Sequence, residues 1–378
     1  MNGQPLRVGV DGRAFVSPAG GVRRYVHELY DAIARVHPEV EVIAIGASAG
    51  SGLPAGVRRR GAIPFPTNLG WMAASMPLAA RGADLDVYHA PAYTAPLWGV
   101  HPQVLTIHDV SYERRPEWNA YRNDPLRRLF YRRSAHVADR IVTDSEFSRD
   151  EITAAYGIPA TRIDVVPLAA GAVFTPGVFD AGAVPAGVTR PYALHVGDLH
   201  VRRNVATALA GVLAARRRLA APKLSLVCAG VDRGTGDALL RQAGDAGDPG
   251  AVALLGPVSE PLLLNLYRGA MLLVYPSRYE GFGLPVLEAM QCGVPVAAAR
   301  AASLPEVVGD AGILLGELTE DDWARTLLDI AGDPALRATL SDRSIARAAA
   351  FSWERTARET VASFRRAVDD RAAQRSRR

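Results

Sequence analysis

The feature that most restricts this chain is an alternation of short apolar runs with longer stretches of helical period, carried through once and then begun again. Leu6–Val10, Val42–Ile45, Asp86–His89, Val104–His108, Ile141–Thr143 and Ile163–Val166 read as strands, with helical patterns at Val22–Val36, Pro125–Ala138 and Ser145–Tyr156 between them. The last helix can start on Ser145, or on a capping box of Ser148 and Glu151. A Gly-, Pro- and Ala-rich stretch without periodicity, Phe174–Pro191, reads as a linker. The pattern then restarts with strands at Tyr192–Val196, Leu224–Ala229, Val252–Leu255, Met271–Tyr275 and Val294–Ala298. Helices are expected at Asn204–Leu219, Pro261–Tyr267, Pro285–Gln291, Glu320–Ala331 and Trp353–Val368. Such alternation predicts parallel βαβ units, here two doubly wound Rossmann-like α/β domains. The predicted division is 1–182, 183–352, a closing helix at 353–370 and a frayed basic tail at 371–378. Open parallel sheets bind ligands beyond the carboxyl ends of their strands, so the chemistry is expected in the loops that follow strands, at a cleft the two sheets share.

Composition narrows the chemistry. The chain has 378 residues, 49% apolar and 22% charged, an ordinary globular make-up long enough for two cores. Lys223 is the only lysine among 43 basic residues and lies in no phosphate loop, which excludes a P-loop NTPase. A net charge of +4 does not by itself imply nucleic acid, and none is expected as a partner. Cys228 and Cys292 form no Cys-x-x-Cys pair, and the histidines show no metal spacing, so a reducing compartment and no catalytic metal are expected. With neither a secretory h-region nor a run of about 18 apolar residues, a cytoplasmic protein is expected.

Four segments carry candidate chemistry. The first runs from Pro276 to Met290, in which Glu280-Gly281-Phe282-Gly283-Leu284-Pro285 follows a strand and opens a helix. Free amides and the helix dipole at such a terminus favour an anion such as a diphosphate. Glu288 suits a ribose diol and Glu280 whatever lies beyond the diphosphate, although both also read as ordinary acids of a cap region. The second is His195-Val-Gly-Asp-Leu-His-Val-Arg202-Arg203-Asn204, where two guanidinium groups near a helix start can neutralise a diphosphate or form a solvated basic turn. The third is Gly20-Gly21-Val-Arg-Arg-Tyr25, a glycine loop opening a helix without Gly-x-Gly-x-x-Gly spacing. The fourth is His108-Asp109 at a strand end, where a histidine can donate to a sugar hydroxyl or play a structural part. The helix of Arg127, Arg128, Arg132 and Arg133 with Leu126, Leu129 and Phe130 reads as a packed surface helix, or as a peripheral contact to an anionic membrane.

Together these segments resemble the retaining glycosyltransferases of family 4. Glu280 and Glu288 enclose seven residues, and Glu280-Gly-Phe-Gly-Leu-Pro with Glu288-Ala-Met-Gln-Cys-Gly-Val-Pro is similar to that family's signature. Arg202-Arg203-Asn204 resembles its Arg-Lys-Asn motif, with arginine where lysine is usual. Asp198 stands where some members carry an arginine, which puts one phosphate contact in doubt. Gly20-Gly-Val-Arg-Arg-Tyr25, His108-Asp109, Thr143-Asp-Ser-Glu-Phe-Ser148, Gly256-Pro-Val-Ser-Glu260 and Ser303-Leu-Pro-Glu306 follow in family order, from about Arg7 to about Trp353. The resemblance implies a GT-B fold and a nucleotide-diphosphate sugar as donor substrate, with no separate cofactor. Arg202 and Arg203 would then hold the diphosphate, Glu280 the sugar, Glu288 the ribose, and His108 the sugar near the reacting carbon. Gly20, Gly21 and the backbone of Gly281, Phe282, Gly283 and Leu284 would approach the donor. The implied reaction is hexosyl transfer, mannosyl from GDP-mannose first, to a saccharide or lipid-linked acceptor in surface polysaccharide synthesis. The competing readings are an inactive nucleotide-sugar binder and a Rossmann oxidoreductase, the latter disfavoured by the missing glycine fingerprint.

Overall fold

The computed structural model describes residues 5–118, 124–218 and 224–376. The chain forms two compact units, one of Met1–Leu168 with Ser352–Arg378, the other Ala169–Phe351. In the first unit seven strands form one sheet: β1 Leu6–Asp11, β2 Val40–Ile45, β3 Val57–Arg60, β4 Val87–Ala90, β5 Gln103–Thr106, β6 Arg140–Thr143 and β7 Ile163–Val165. Their spatial order is β3-β2-β1-β4-β5-β6-β7, and every pairing is parallel. The second unit repeats the plan with β8 Tyr192–Val196, β9 Ser225–Ala229, β10 Val252–Gly256, β11 Leu272–Tyr275, β12 Val296–Ala299 and β13 Ile313–Leu315, ordered β10-β9-β8-β11-β12-β13 and again wholly parallel. The strand order reverses between β1 and β4 in one sheet and between β8 and β11 in the other, and such reversals open the crevices where doubly wound sheets take ligands.

Central strands are buried on both faces, which is why β4, β5, β8, β9, β11 and β12 read as continuous apolar runs. The unexpected strands lie at edges. β3 is Val-Arg-Arg-Arg, with Arg58 and Arg59 exposed, a charged edge that resists further pairing. β13 is three residues long. Helices Gly236–Asp245 and Pro334–Ala348 also lay outside the expected set; the first opens on a glycine and contains Gly244. Ser145 caps Glu146–Tyr156 through its hydroxyl, whereas Glu151 pairs with Arg114 instead of closing a capping box. Gly211 of the helix Val205–Arg218 packs so closely on Trp323 that a side chain there would collide with the Trp323 Cβ.

The expected linker and tail need correction. The units divide after Leu168, not at 182, because 169–191 is docked on the second unit. Phe174 is fully buried edge-on to Tyr267, and Asp180 exchanges two backbone bonds, 2.9 and 2.8 Å, with the Asn265 amide. The final helix, Trp353–Ser376, packs in the first unit through Trp353, Ala357, Val361, Phe364 and Ala367. It runs well past 370, and Arg140 reaches Asp370 at 3.0 Å. Of the expected basic tail, 371–376 is therefore helical, and 377–378 lie outside the described residues.

Candidate active site

At the reversal point of the second sheet, β8 is followed by Gly197, whose φ of 135° a side chain would resist. Val201–Arg203 then makes a single tight turn, and Asn204 at φ 54° redirects the chain into the helix Val205–Arg218. Arg202 and Arg203 thus sit on a turn before the helix rather than in its first residues. Across the reversal, β11 ends in the loop Pro276–Gly283. The two loops are tied together by the Arg278 amide, which donates to the Arg202 carbonyl at 2.9 Å. Ser303 braces the loop by donating to the carbonyls of Glu280 and Phe282 at 2.9 and 2.8 Å.

Three of the predicted residues meet here. Glu280 Oε1 accepts from Arg203 Nη1, from the Ser277 hydroxyl, and from Arg202 Nη1 at 3.2 Å. Arg202 also donates to the Tyr279 carbonyl at 2.7 Å, and Arg203 to the Tyr275 hydroxyl. The Glu280 and Arg203 side chains are only 8% and 11% exposed, against 24% for Arg202, so the cluster is largely dry with one open side. Arg202 and Arg203 thus share the Glu280 carboxylate in a place where water screens charge weakly. The Arg203 Nε is buried without a partner among the described residues, a donor still unspent.

Beyond the loop, Gly283 at φ 109° opens the helix Leu284–Gln291, and as a glycine it brings no side chain of its own to cap that terminus. Glu288 lies inside this helix at 3% exposure and accepts from the Tyr267 hydroxyl at 2.9 Å. Gly281, Phe282 and Leu284 stand in the loop and at the helix start, with Phe282 buried.

In the first unit, His108 lies just past β5 and Asp144 just past β6. Asp144, 3% exposed, accepts from His108 Nδ1 at 2.8 Å, and Tyr25 packs edge-on to the imidazole at 4.8 Å. Burial opposes the imidazolium, yet the Asp144 carboxylate carries the His108 pKa above its ordinary value, with the Asp109 carboxylate and Pro91 carbonyl acting the same way. His108 Nε2 is buried and makes no hydrogen bond of full geometry among the described residues, with the Pro91 carbonyl the backbone acceptor that approaches the ring. Gly20 and Gly21 are the exposed first residues of the helix Gly20–Val36, and a side chain on either would meet nothing. Sequence reasoning misses Asp144, though it sits in the Thr143–Ser148 block directly after a strand. Among the described residues no group of three or more His, Cys, Asp or Glu is placed to hold a metal ion, and no described helix is long and apolar enough to cross a membrane.

Two further histidines are structural. His89 is fully buried, with Nδ1 against the Tyr30 hydroxyl at 2.7 Å and Nε2 against the Thr106 hydroxyl at 2.8 Å. His195 is buried against Tyr275 and bonds the Val274 carbonyl at 3.2 Å. Burial first, then the charge of His108 or Arg203 respectively, pushes each pKa from 6.5 down to about 3. Below pH 6.5 the unfolded chain takes up protons that these folded sites refuse. Their contribution is present above pH 6.5 and lost as pH falls toward 3, at about 1.4 kcal/mol per pH unit for each histidine. Urea melts between pH 7 and 5 are expected to show this loss, and His89→Gln to flatten it for the first unit. An unchanged slope in the variant would contradict the assignment.

The family model described as Glycosyltransferase Family 4 matches residues 19–169, and the one described as Glycosyl transferases group 1 matches residues 190–333. The O-antigen chain mannosyltransferase B of Escherichia coli is 34% identical over 287 residues, covering 74% of each chain. This chain belongs to the group 1/family 4 glycosyltransferases. A D-inositol 3-phosphate glycosyltransferase of Mycolicibacterium paratuberculosis is 35% identical over 259 residues, 66% of this transferase and 58% of that relative. The fold is that of the GT-B enzymes: WaaG, a glycosyltransferase involved in lipopolysaccharide biosynthesis, superposes with a TM-score of 0.68 at 15% identity, covering 95% of this chain and 98% of WaaG.

Proposed function

We propose that this transferase moves a hexosyl residue from a nucleotide-diphosphate sugar to a hydroxyl of a saccharide or lipid-linked acceptor, with retention at the anomeric carbon, in cell-surface polysaccharide synthesis. GDP-mannose is the first-choice donor, because the Escherichia coli relative is named as a mannosyltransferase of the O-antigen chain. The observation that carries the reading is the pair of guanidinium groups held on one carboxylate, in the loop that leads to a glycine-opened helix start.

In this reading Arg202 and Arg203 take the diphosphate as the bond from sugar carbon to phosphate oxygen breaks. Positive charge builds on the sugar ring and negative charge on the leaving phosphate. Donors fixed before the reaction stabilise that phosphate more than the ground state, which lowers the barrier without a protein-bound metal. Glu280 Oε1 already accepts three donors, which weakens the carboxylate as a nucleophile and suits it to holding sugar hydroxyls. The acceptor hydroxyl therefore attacks from the face the phosphate leaves, and the phosphate oxygen takes the acceptor's proton. His108 serves the sugar, Glu288 the ribose, and Gly20, Gly21 and the Gly281–Leu284 backbone the donor phosphates.

Thermal melts with GDP, UDP, dTDP and ADP test the donor. A nucleotide at a hundred times its Kd stabilises by about 2.7 kcal/mol, and GDP is expected to give the largest rise. No rise with any of the four would count against the reading. Release of nucleotide diphosphate from the matching sugar separates an enzyme from an inactive binder. Leu126 and Leu129 are 59% and 52% exposed beside Arg127 and Arg133, which favours a peripheral contact to anionic lipid as a second reading; co-sedimentation with anionic vesicles tests it.

A further inference from the structure

The reversal point of the first sheet holds a cavity of about 470 Å³, walled by Asp11 at the end of β1, by Arg13 and Asn68, and by Tyr93 and Thr94 after β4, with Tyr131 opposite. Its polar wall is one connected chain. Asp11, 5% exposed, accepts from the Arg13 amide at 3.1 Å and Nε at 3.0 Å on one oxygen, and from Nη2 at 2.6 Å on the other. Arg13 Nη2 also donates to Asn68 Oδ1 at 2.9 Å, and Asn68 Nδ2 donates to the Thr94 hydroxyl at 3.1 Å. Trp71 lies under the guanidinium at 4.4 Å and holds its plane.

We infer that this cavity binds an uncharged polyhydroxylated acceptor, a saccharide without phosphate. The inference rests on the glycosyltransferase reading and narrows its acceptor. An arginine grips phosphate through the parallel fork of its Nε and Nη2 hydrogens, and here Asp11 already occupies that fork. A phosphate could engage only the remaining Nη1 hydrogens and would then sit beside the Asp11 carboxylate, which repels it. Asp11 and Arg13 cancel, and they are the only charged groups among the described residues lining the cavity. Arg23 touches the rim through the Ser17 carbonyl at 2.9 Å but is not one of those lining residues. What the wall offers is fixed amide and hydroxyl groups beside the tyrosine rings, the complement of a sugar's hydroxyls and apolar faces. A second cavity of about 340 Å³ shares Asn68 and Tyr131, which gives room for a further sugar ring.

The test uses matched pairs, so the natural sugar need not be known. Mannose with mannose 6-phosphate, glucose with glucose 6-phosphate, and myo-inositol with myo-inositol 3-phosphate are titrated against the full chain by saturation-transfer NMR, with the best nucleotide diphosphate present. In at least one pair the neutral member is expected to bind about tenfold or more tightly than its phosphate ester. In Asp11→Asn the fork is no longer neutralised, and the preference is expected to shrink or reverse. Should Asp11→Asn not fold, Asn68→Ala is expected to weaken the neutral ligand while leaving the nucleotide-induced rise in Tm in place. Equal or tighter binding of the phosphate esters, or binding of no member of any pair while the nucleotide still raises Tm, overturns this inference and leaves the transferase reading standing. Loss of the nucleotide effect itself strikes the transferase reading instead.

Discussion

Arg203→Ala is expected to lower kcat by about 10²- to 10³-fold at saturating donor, the usual cost of removing one fixed donor aimed at developing negative charge. The side chain binds Glu280 and the Tyr275 hydroxyl, and its buried Nε has no partner among the described residues. The effect should fall on kcat more than on KM, because charge on the departing phosphate exceeds that in the bound donor. Alanine also leaves the buried Glu280 with Arg202 as its remaining cation among the described residues, so a stability loss of about 1–3 kcal/mol is expected, and Tm must be read on the same sample. Arg203→Lys separates charge from geometry. Lysine is usual at this place in the family motif that the segment resembles, and an ammonium can still reach Glu280, although it cannot reproduce the two-pronged contact. That variant is expected to stay within about tenfold of the parent. Near-normal turnover in Arg203→Ala would remove the diphosphate from this place.

How much of this was legible in the chain depends on what a residue needs in order to be noticed. Central strands such as β8 and β11 are buried on both faces, so their sequences are unbroken apolar runs and declare themselves. The edge strand β3 has no such requirement; with three arginines in four residues its pattern is that of a loop. The Arg202–Arg203 and Glu280 segments could be read because each needs glycines and charges at fixed offsets from a strand. The unit boundary could not, since 169–191 lacks any period and is held by particular contacts, Phe174 on Tyr267 and Asp180 on Asn265. Asp11, Arg13 and Asp144 escaped for a related reason. Arg13 and Asp144 act through partners in other loops, Asn68 and His108, while Asp11 pairs locally with Arg13, and single acids after strands are too common to stand out. The position of Asp11, at the point where the order of the first sheet reverses, becomes informative only once the topology is known.

Asp144→Asn is the second substitution expected to have a large effect. In the proposed reaction Asp144 is a positioning residue: its oxygen fixes the His108 ring through Nδ1, so that Nε2 would be the atom turned to the sugar. While the carboxylate is present, it sustains the imidazolium against burial, so Nε2 can carry a proton and donate. Asparagine keeps the shape but removes the charge. Burial then governs and the pKa of His108 falls; with the asparagine oxygen still accepting from Nδ1, Nε2 loses its proton at a lower pH. Tyr25, Tyr93, Asp109 and the Pro91 carbonyl still face the ring, and none replaces the lost ion pair. A charge-assisted hydrogen bond is worth about 1.5–3 kcal/mol, so kcat near neutral pH is expected to fall by about 10- to 10²-fold. The basic limb of the pH profile of kcat should move toward acid, while the rise in Tm with nucleotide diphosphate stays as in the parent. A merely structural Asp144 would lower Tm and leave that limb where it was; that result would take His108 Nε2 out of the reaction.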